Sequence, residues 1–383
     1  MLLALPTMAG SVNTVVIGAS AAGLSTSHCL EKVAVEHVLL EKQRQVATAW
    51  RNHYDRLHLH TTKGLSTLPD HPWPAETASY PARIEVVRYM EDYAERLVQP
   101  PRFGQNVCRI ERHAHGWRTQ TDDAAYLSQN VVIATGYTRT PYVPAWPGRA
   151  LYRGDFLHSS QYKNGDAWSG KRVLVVGFGN SACEIAIDLH ERGAKPTLAV
   201  RGPVNIIPRD ILGIPILGIG ISMSALPAEV ADVLAWPLLR ATIGDVRELG
   251  LQKLPYGPNV QIQKHGRIPL LDIGTVALIK KGELQVRPNV ARFTESGVVF
   301  SDGEHEEFAA VVLGTGYRPA LSEFFADAGA ICTNDGVPKQ SGAELLPGLY
   351  LCGFHVSPTG MLREIAIEAR RIASSIAGKP PAR

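Results

Sequence analysis

Two glycine-rich hexapeptides carry the residues whose types and spacing can do chemistry. The first is Gly18-Ala19-Ser20-Ala21-Ala22-Gly23, and the second is Gly177-Phe178-Gly179-Asn180-Ser181-Ala182. Each follows an apolar strand pattern and opens a helical one. Glycine is needed where such a turn bends sharply, where backbone N–H groups meet a pyrophosphate, and where helix packs close on strand. The anion then sits at the helix N-terminus, on unpaired N–H groups and the positive end of the dipole. The second hexapeptide is a full GxGxxA. In the first, Ser20 replaces the middle glycine with a small side chain whose hydroxyl can bond phosphate.

The residues downstream separate the two turns. Glu41 ends the strand roughly 20 residues past the first turn, where a carboxylate accepts hydrogen bonds from ribose hydroxyls. The corresponding strand after the second turn ends in Val200-Arg201. Arginine clamps a 2′-phosphate that a carboxylate would repel. FAD is therefore expected at the first turn and NADPH at the second.

Strands and helices must hold these turns. Residues 14–17 read as a strand, 24–31 as a helix and 36–41 as a second strand. A helical spacing covers 84–97, and a meander of short strands covers 106–133. The βαβ pattern then repeats, with strand 172–176, helix 183–192 and strand 196–200. Strands resume near 284–313, another ends at Gly353, and a helix spans about 360–377. The expected fold class is α/β: two Rossmann-like dinucleotide-binding domains, with the NADP domain inserted in the FAD domain. The expected boundaries are 1–150 and 290–383 for the FAD domain. Residues 151–289 form the NADP domain, with an apolar insertion at 204–260.

The totals fit this division. A chain of 383 residues exceeds what one ordinary core needs. Hydrophobic residues at 45% and charged residues at 20% match a globular protein, and a net charge of +3 is too small to argue for nucleic acid. Cys29, Cys108, Cys183, Cys332 and Cys352 form no CxxC, so neither a zinc site nor a dithiol pair is signalled, and no metal site is expected. Buried thiols in a reducing, cytoplasmic setting are the expectation. Residues 1–10 lack a basic segment and read as a short extension. The most apolar run, 211–226, is interrupted by Pro215 and three glycines, short of the roughly 18 unbroken residues of a membrane span.

Between the two turns lies Tyr152-Arg153-Gly154-Asp155-Phe156-Leu157-His158-Ser159-Ser160-Gln161-Tyr162. This stretch resembles the FxGxxxHxxx(Y/F) signature of class B flavin-containing monooxygenases, with Tyr152 in the first position. The resemblance extends along most of the chain and points to the YUCCA-type, indole-3-pyruvate monooxygenase-like branch. It rests on Tyr54-Asp55-Arg56-Leu57 with Leu59-His60, on Tyr80-Pro81, on Gly179-Asn180-Ser181 and on Pro208-Arg209. It also rests on Leu212-Gly213, on the run from Pro269 to Thr275, and on Gly314-Thr315-Gly316-Tyr317-Arg318. Ser20-Ala21-Ala22 departs from that branch's glycine-proline-serine.

The resemblance implies a cycle. NADPH reduces FAD, O2 adds at flavin C4a to give a (hydro)peroxyflavin, and oxygen passes to a small aromatic substrate. It implies His60 and His158 as catalytic residues, His158 by coupling NADP binding to flavin chemistry. Trp50, Thr135, Gly136, Gly316, Gly353 and Met361 are further expected cofactor contacts. A helix starting near Pro358-Thr359-Gly360 would aim its N–H groups and positive dipole at the flavin pyrimidine edge. The leading reaction is oxidative decarboxylation of an aromatic 2-oxo acid such as indole-3-pyruvate. N- or S-oxygenation of amines, sulfides or indole, or an uncoupled NADPH oxidase or flavin reductase, are the alternatives. A non-catalytic redox-sensing flavoprotein is the reading from another class. Residues 211–240 are read either as a tunnel lining or as an interface or membrane-contact patch, and a homodimer stays open.

Overall fold

Runs of β-branched residues buried on both faces make parallel strands. Val15-Val16-Ile17, Val131-Val132-Ile133 and Val311-Val312-Leu313 are such runs, each at most 5% exposed. The computed structural model describes residues 7–223, 225–357 and 359–379. Residues 1–6 of the expected extension and Pro358 of the expected helix start lie outside the described residues.

The first unit runs β1 (Thr7–Ile17), α1 (Ala21–Lys32), β2 (His37–Leu40) and α2 (Arg83–Glu95), then β3 (Val107–His113), β4 (Gly116–Thr121) and β5 (Ala124–Ile133). The chain crosses to a second unit, β6 (Asp155–His158), β7 (Arg172–Val176), α3 (Asn180–Glu191), β8 (Lys195–Ala199), α4 (Ala228–Thr242), β9 (Gln285–Arg287) and β10 (Ala310–Leu313). It returns with β11 (Glu344–Leu346), β12 (Leu349–Leu351) and α5 (Met361–Ile376).

The first sheet has the order β2-β1-β5-β12-β11, parallel except for the β11 edge, with β3 and β4 added antiparallel beside β5. One core on this sheet includes Leu24, Leu30, Met90, Ile365 and Ile372. A second includes Val15, Ile17, Trp117, Phe325 and Leu349. The second sheet has the order β9-β8-β7-β10-β6 and is parallel throughout.

Two sequence expectations need correction. β1 begins at Thr7 and pairs with β5 from Ala124 onward, so part of the expected extension is strand. The boundary at 289/290 also fails. β10 lies between β7 and β6 inside the second sheet, and Val290, Phe293 and Phe300 pack with Leu174 and Val176 of that sheet. Both sheets contain an apolar strand followed by a Thr-Gly turn, Ala134-Thr135-Gly136 and Gly314-Thr315-Gly316, and the pattern of a strand does not name its neighbour.

The two chain crossings run side by side. Thr140–Pro141 pairs antiparallel with Tyr317–Arg318, and the Tyr142 N–H donates to the Gly316 carbonyl at 2.9 Å. Among the described residues no helix is long and apolar enough to cross a membrane. The five cysteines are free, and only Cys108 is exposed.

Candidate functional site

At the first turn, Gly18 has φ +103°, and a Cβ there would meet the Ala134 carbonyl oxygen at 2.9 Å. A Cβ on Gly23 would fall 1.7 Å from the Gly18 oxygen. The two outer glycines are thus required by packing alone. Glu41 braces the turn from β2: Oε2 accepts from the Ala19 N–H at 2.7 Å and Oε1 from the Gln43 N–H at 2.9 Å. Glu41 also helps to line a cavity of about 270 Å³, together with Gly18, Ser20, Lys42 and Thr135.

The second turn repeats the device. Gly177 has φ +128°, and its Cβ would meet the Gly314 oxygen at 2.5 Å, while a Cβ on Gly314 would meet that of Ala182 at 2.5 Å. Gly179 differs, because a Cβ there meets nothing within 4 Å. Open space beside the middle glycine is what close approach of a phosphate requires. Arg201 is exposed just past β8 and makes no hydrogen bond or ion pair with another described residue.

A larger cavity, about 670 Å³, lies where the units meet. Ser20, Ala49, His53, Ala134, Thr135 and Thr138 line both cavities, so the smaller opens beside the larger. The expected residues Ala21, Ala22, Trp50, His60, Gly136, Asn180, Ser181, Gly353 and Met361 line the larger one. Gly23, Gly177, Gly179, Ala182, Arg201, Gly316 and His158 line neither. The residues fit an elongated dinucleotide. The Thr135 hydroxyl between the cavities is buried without a hydrogen-bond partner among the described residues, a donor and acceptor that a bound dinucleotide would satisfy. The N-terminal residues of α5, after Gly360 at φ +101°, also reach the larger cavity.

His158 is not placed to touch a substrate. It is 3% exposed; its Nδ1 accepts from the Ser160 N–H at 3.1 Å and its Nε2 donates to the Gly316 carbonyl at 2.9 Å. Burial lowers its pKa. In the structure the ring ties β6 to the second crossing. The rest of that stretch anchors in the same way. The Tyr152 hydroxyl donates to the Phe308 carbonyl at 2.7 Å, and the Tyr162 hydroxyl to Asp188 Oδ2 at 2.6 Å.

Two residues of the site were missed by sequence reading. His53 stands in the wall shared by the cavities, and burial, reinforced by the Lys163 charge, lowers its pKa to about 4. Glu184 of α3, 1% exposed, binds His60 Nε2 at 2.7 Å. Its signal was available: an acid at the inward face of the apolar run Ala182–Leu189.

Residues 211–240 divide between the cavity wall and the outer surface. Ile216, Leu217, Met223, Leu234 and Leu238 line the larger cavity, whereas Leu212 and Val233, at 99% and 72% exposure, face outward.

Comparison with known proteins matches residues 12–336 to the family model described as flavin-binding monooxygenase-like. The chain is 36% identical over 348 residues to indole-3-pyruvate monooxygenase YUCCA1 of Oryza sativa subsp. japonica, covering 89% of this chain and 86% of that protein. It is 34% identical over 375 residues to indole-3-pyruvate monooxygenase YUCCA6 of Arabidopsis thaliana, covering 94% and 89%. Among solved structures it resembles the flavin-containing monooxygenase from Stenotrophomonas maltophilia, with a TM-score of 0.73, 25% identity, and coverage of 96% and 99%.

Proposed function

The chain belongs to the flavin-binding monooxygenase-like family, and we propose that it is an FAD- and NADPH-dependent monooxygenase of a small aromatic substrate, acting first on an aromatic 2-oxo acid such as indole-3-pyruvate. The observation that carries this reading is the apolar cavity between the two units, into which the first fingerprint turn, the start of α3 and the start of α5 all project. Bound flavin and NADPH supply the oxygen activation and the hydride, chemistry that side chains lack.

The chain's own residues bind, orient and exclude water. Gly18, Ser20 and Glu41 hold the adenine end of FAD, and Thr135, Gly136, Gly353 and Met361 surround its ring end. Gly177, Gly179 and Ser181 hold the NADPH pyrophosphate, with Arg201 on the 2′-phosphate. Leu217, Leu234 and Leu238 close the substrate side with apolar surface, and a dry pocket protects reactive species from water. The 2-oxo acid reading is supported by what the similar plant proteins are named for. A reducing, cytoplasmic setting accompanies it.

One observation favours a second substrate reading. Among the described residues no Lys or Arg lines the larger cavity, and His53 is held neutral there at pH 7. A wall without lysine or arginine suits a neutral soft nucleophile, such as indole or a sulfide, and offers a carboxylate no permanent cation.

The test uses the purified flavin-loaded protein. NADPH oxidation, O2 uptake and peroxide release are followed with indole-3-pyruvate, indole and an aryl sulfide. Acceleration by indole-3-pyruvate, with one CO2 and one indole-3-acetate per NADPH, is the expected result. Acceleration by indole or the sulfide alone replaces the 2-oxo acid with the second reading. One peroxide per NADPH under every condition overturns both.

A further inference from the structure

The loop from Tyr54 to His60 in the first unit grips one face of α3 in the second. At the outer end Arg56 donates from Nε and Nη2 to the two oxygens of Glu191, at 2.9 and 2.8 Å. Seven residues earlier on α3, at the inner end, Glu184 Oε1 lies 2.7 Å from His60 Nε2. The outer pair is partly exposed, whereas the Glu184 side chain is 2% and the His60 side chain 13% exposed.

Stability does not explain the inner pair. Removing a carboxylate from water is costly, and apolar residues of similar size often serve a core as well or better. Glu184 is also incompletely satisfied, since Oε2 is buried without a well-formed hydrogen bond among the described residues. Beside it stands Tyr54, whose phenol burial and then the Glu184 charge push well above its usual pKa. An acid kept in such surroundings has a use for its charge or its acceptor oxygen.

The ring it holds faces the cavity. His60 lines the wall, and its Nδ1 makes no hydrogen bond with another described residue. In a neutral imidazole the nitrogen bonded to an acceptor carries the proton and the other keeps its lone pair. We propose that Glu184 is a positioning residue for His60. It fixes the Nε2–H tautomer and the ring plane, so that the Nδ1 lone pair is the acceptor His60 offers to the cavity. Because Glu184 sits one turn past Asn180 and Ser181, the wall of the cavity is tied to the helix whose N-terminus is assigned to NADPH. The inference rests on reading the cavity as the reaction site, but its primary test needs no turnover.

That test is nitrogen NMR of the flavin-loaded protein labelled with 15N-histidine, with His60→Gln identifying the His60 signals. At pH 8 the wild type is expected to show the Nε2-protonated pattern. Glu184→Gln keeps an acceptor oxygen and keeps the pattern. Glu184→Leu loses it. In parallel, kcat/KM for the best substrate falls about tenfold in Glu184→Leu, the scale of one misplaced hydrogen bond, and returns to within about twofold of wild type in Glu184→Gln. An Nδ1-protonated wild type overturns the proposal, as does an unchanged pattern in Glu184→Leu. Should the leucine variant not fold, the wild-type and glutamine patterns still decide. Absence of turnover with every substrate, beside the expected tautomer, sinks the proposed function and leaves this pair standing.

Discussion

Arg201 and His53 show how single residues carry separable consequences. Arg201 is exposed past β8, without a described partner, beside the turn assigned to NADPH. A charge-assisted bond of the kind proposed to the 2′-phosphate contributes about 1.5–3 kcal/mol. Arg201→Ala is expected to lower kcat/KM for NADPH by about 10- to 100-fold, leaving NADH unchanged, in steady-state assays with both coenzymes. Equal loss for both contradicts the assignment. His53 makes a pH prediction. Its pKa is lowered from 6.5 to about 4 in the folded protein, chiefly by burial. Between those values the unfolded chain binds a proton that the folded chain does not, so stability rises with pH across the window. The contribution is whole above pH 6.5 and is lost as pH falls toward 4. His37 and His158, also lowered mainly by burial, add the same sign. Urea unfolding from pH 7 to 4.5 is expected to show falling stability, with a shallower slope in His53→Gln. At this scale the sequence was partly legible: Arg201 and Glu41 could be read from their place at strand ends, but nothing local marked His53 as the wall between cavities.

Elements place these residues through close backbone packing. The contact of β10 with α3 is the sharpest case. Gly314 follows β10, and a Cβ on it would lie 2.5 Å from that of Ala182 at the start of α3. Forcing an extra methyl into such a contact costs about 1–3 kcal/mol. Gly314→Ala is expected to lose that much stability in chemical denaturation and to weaken NADPH binding, while the flavin, held by the first unit, is retained. Loss of flavin with NADPH binding intact would reverse the assignment of turns to cofactors. The βαβ elements were readable because strand, turn and helix are contiguous. The membership of β10 was not, because its neighbours β6 and β7 lie more than a hundred residues earlier in the chain.

Across the whole molecule, a mixed sheet and a parallel sheet are joined by paired crossings at 140–141 and 317–318. His158 fastens β6 to the second crossing through the Gly316 carbonyl. Replacing it with an apolar residue leaves that carbonyl and the Ser160 N–H unpaired, at about 1–3 kcal/mol for each group that stays dry. His158→Leu is expected to retain flavin and to slow its bleaching by NADPH, because the units lose their fixed relation and not their sites. Stopped-flow reduction together with flavin content checks this. Unchanged reduction would confine His158 to local stability.

The sequence by itself determined the two fingerprint turns, their strands and helices, and the acid-ended and arginine-ended strands that distinguish them. Those signals are local: a turn of six residues and the periodicity of one element can be read without neighbours. Only the tertiary structure decided that Ala310–Leu313 completes the second sheet, that His158 is a tie, and that His60 meets Glu184 across 124 residues. Strand order and buried polar pairs depend on which distant segments share a face, and a residue's type does not carry that information. The first turn, with Ser20 at its centre, was read from six residues. Its bracing by the Glu41 carboxylate, on the Ala19 N–H, appeared only once β2 lay beside β1.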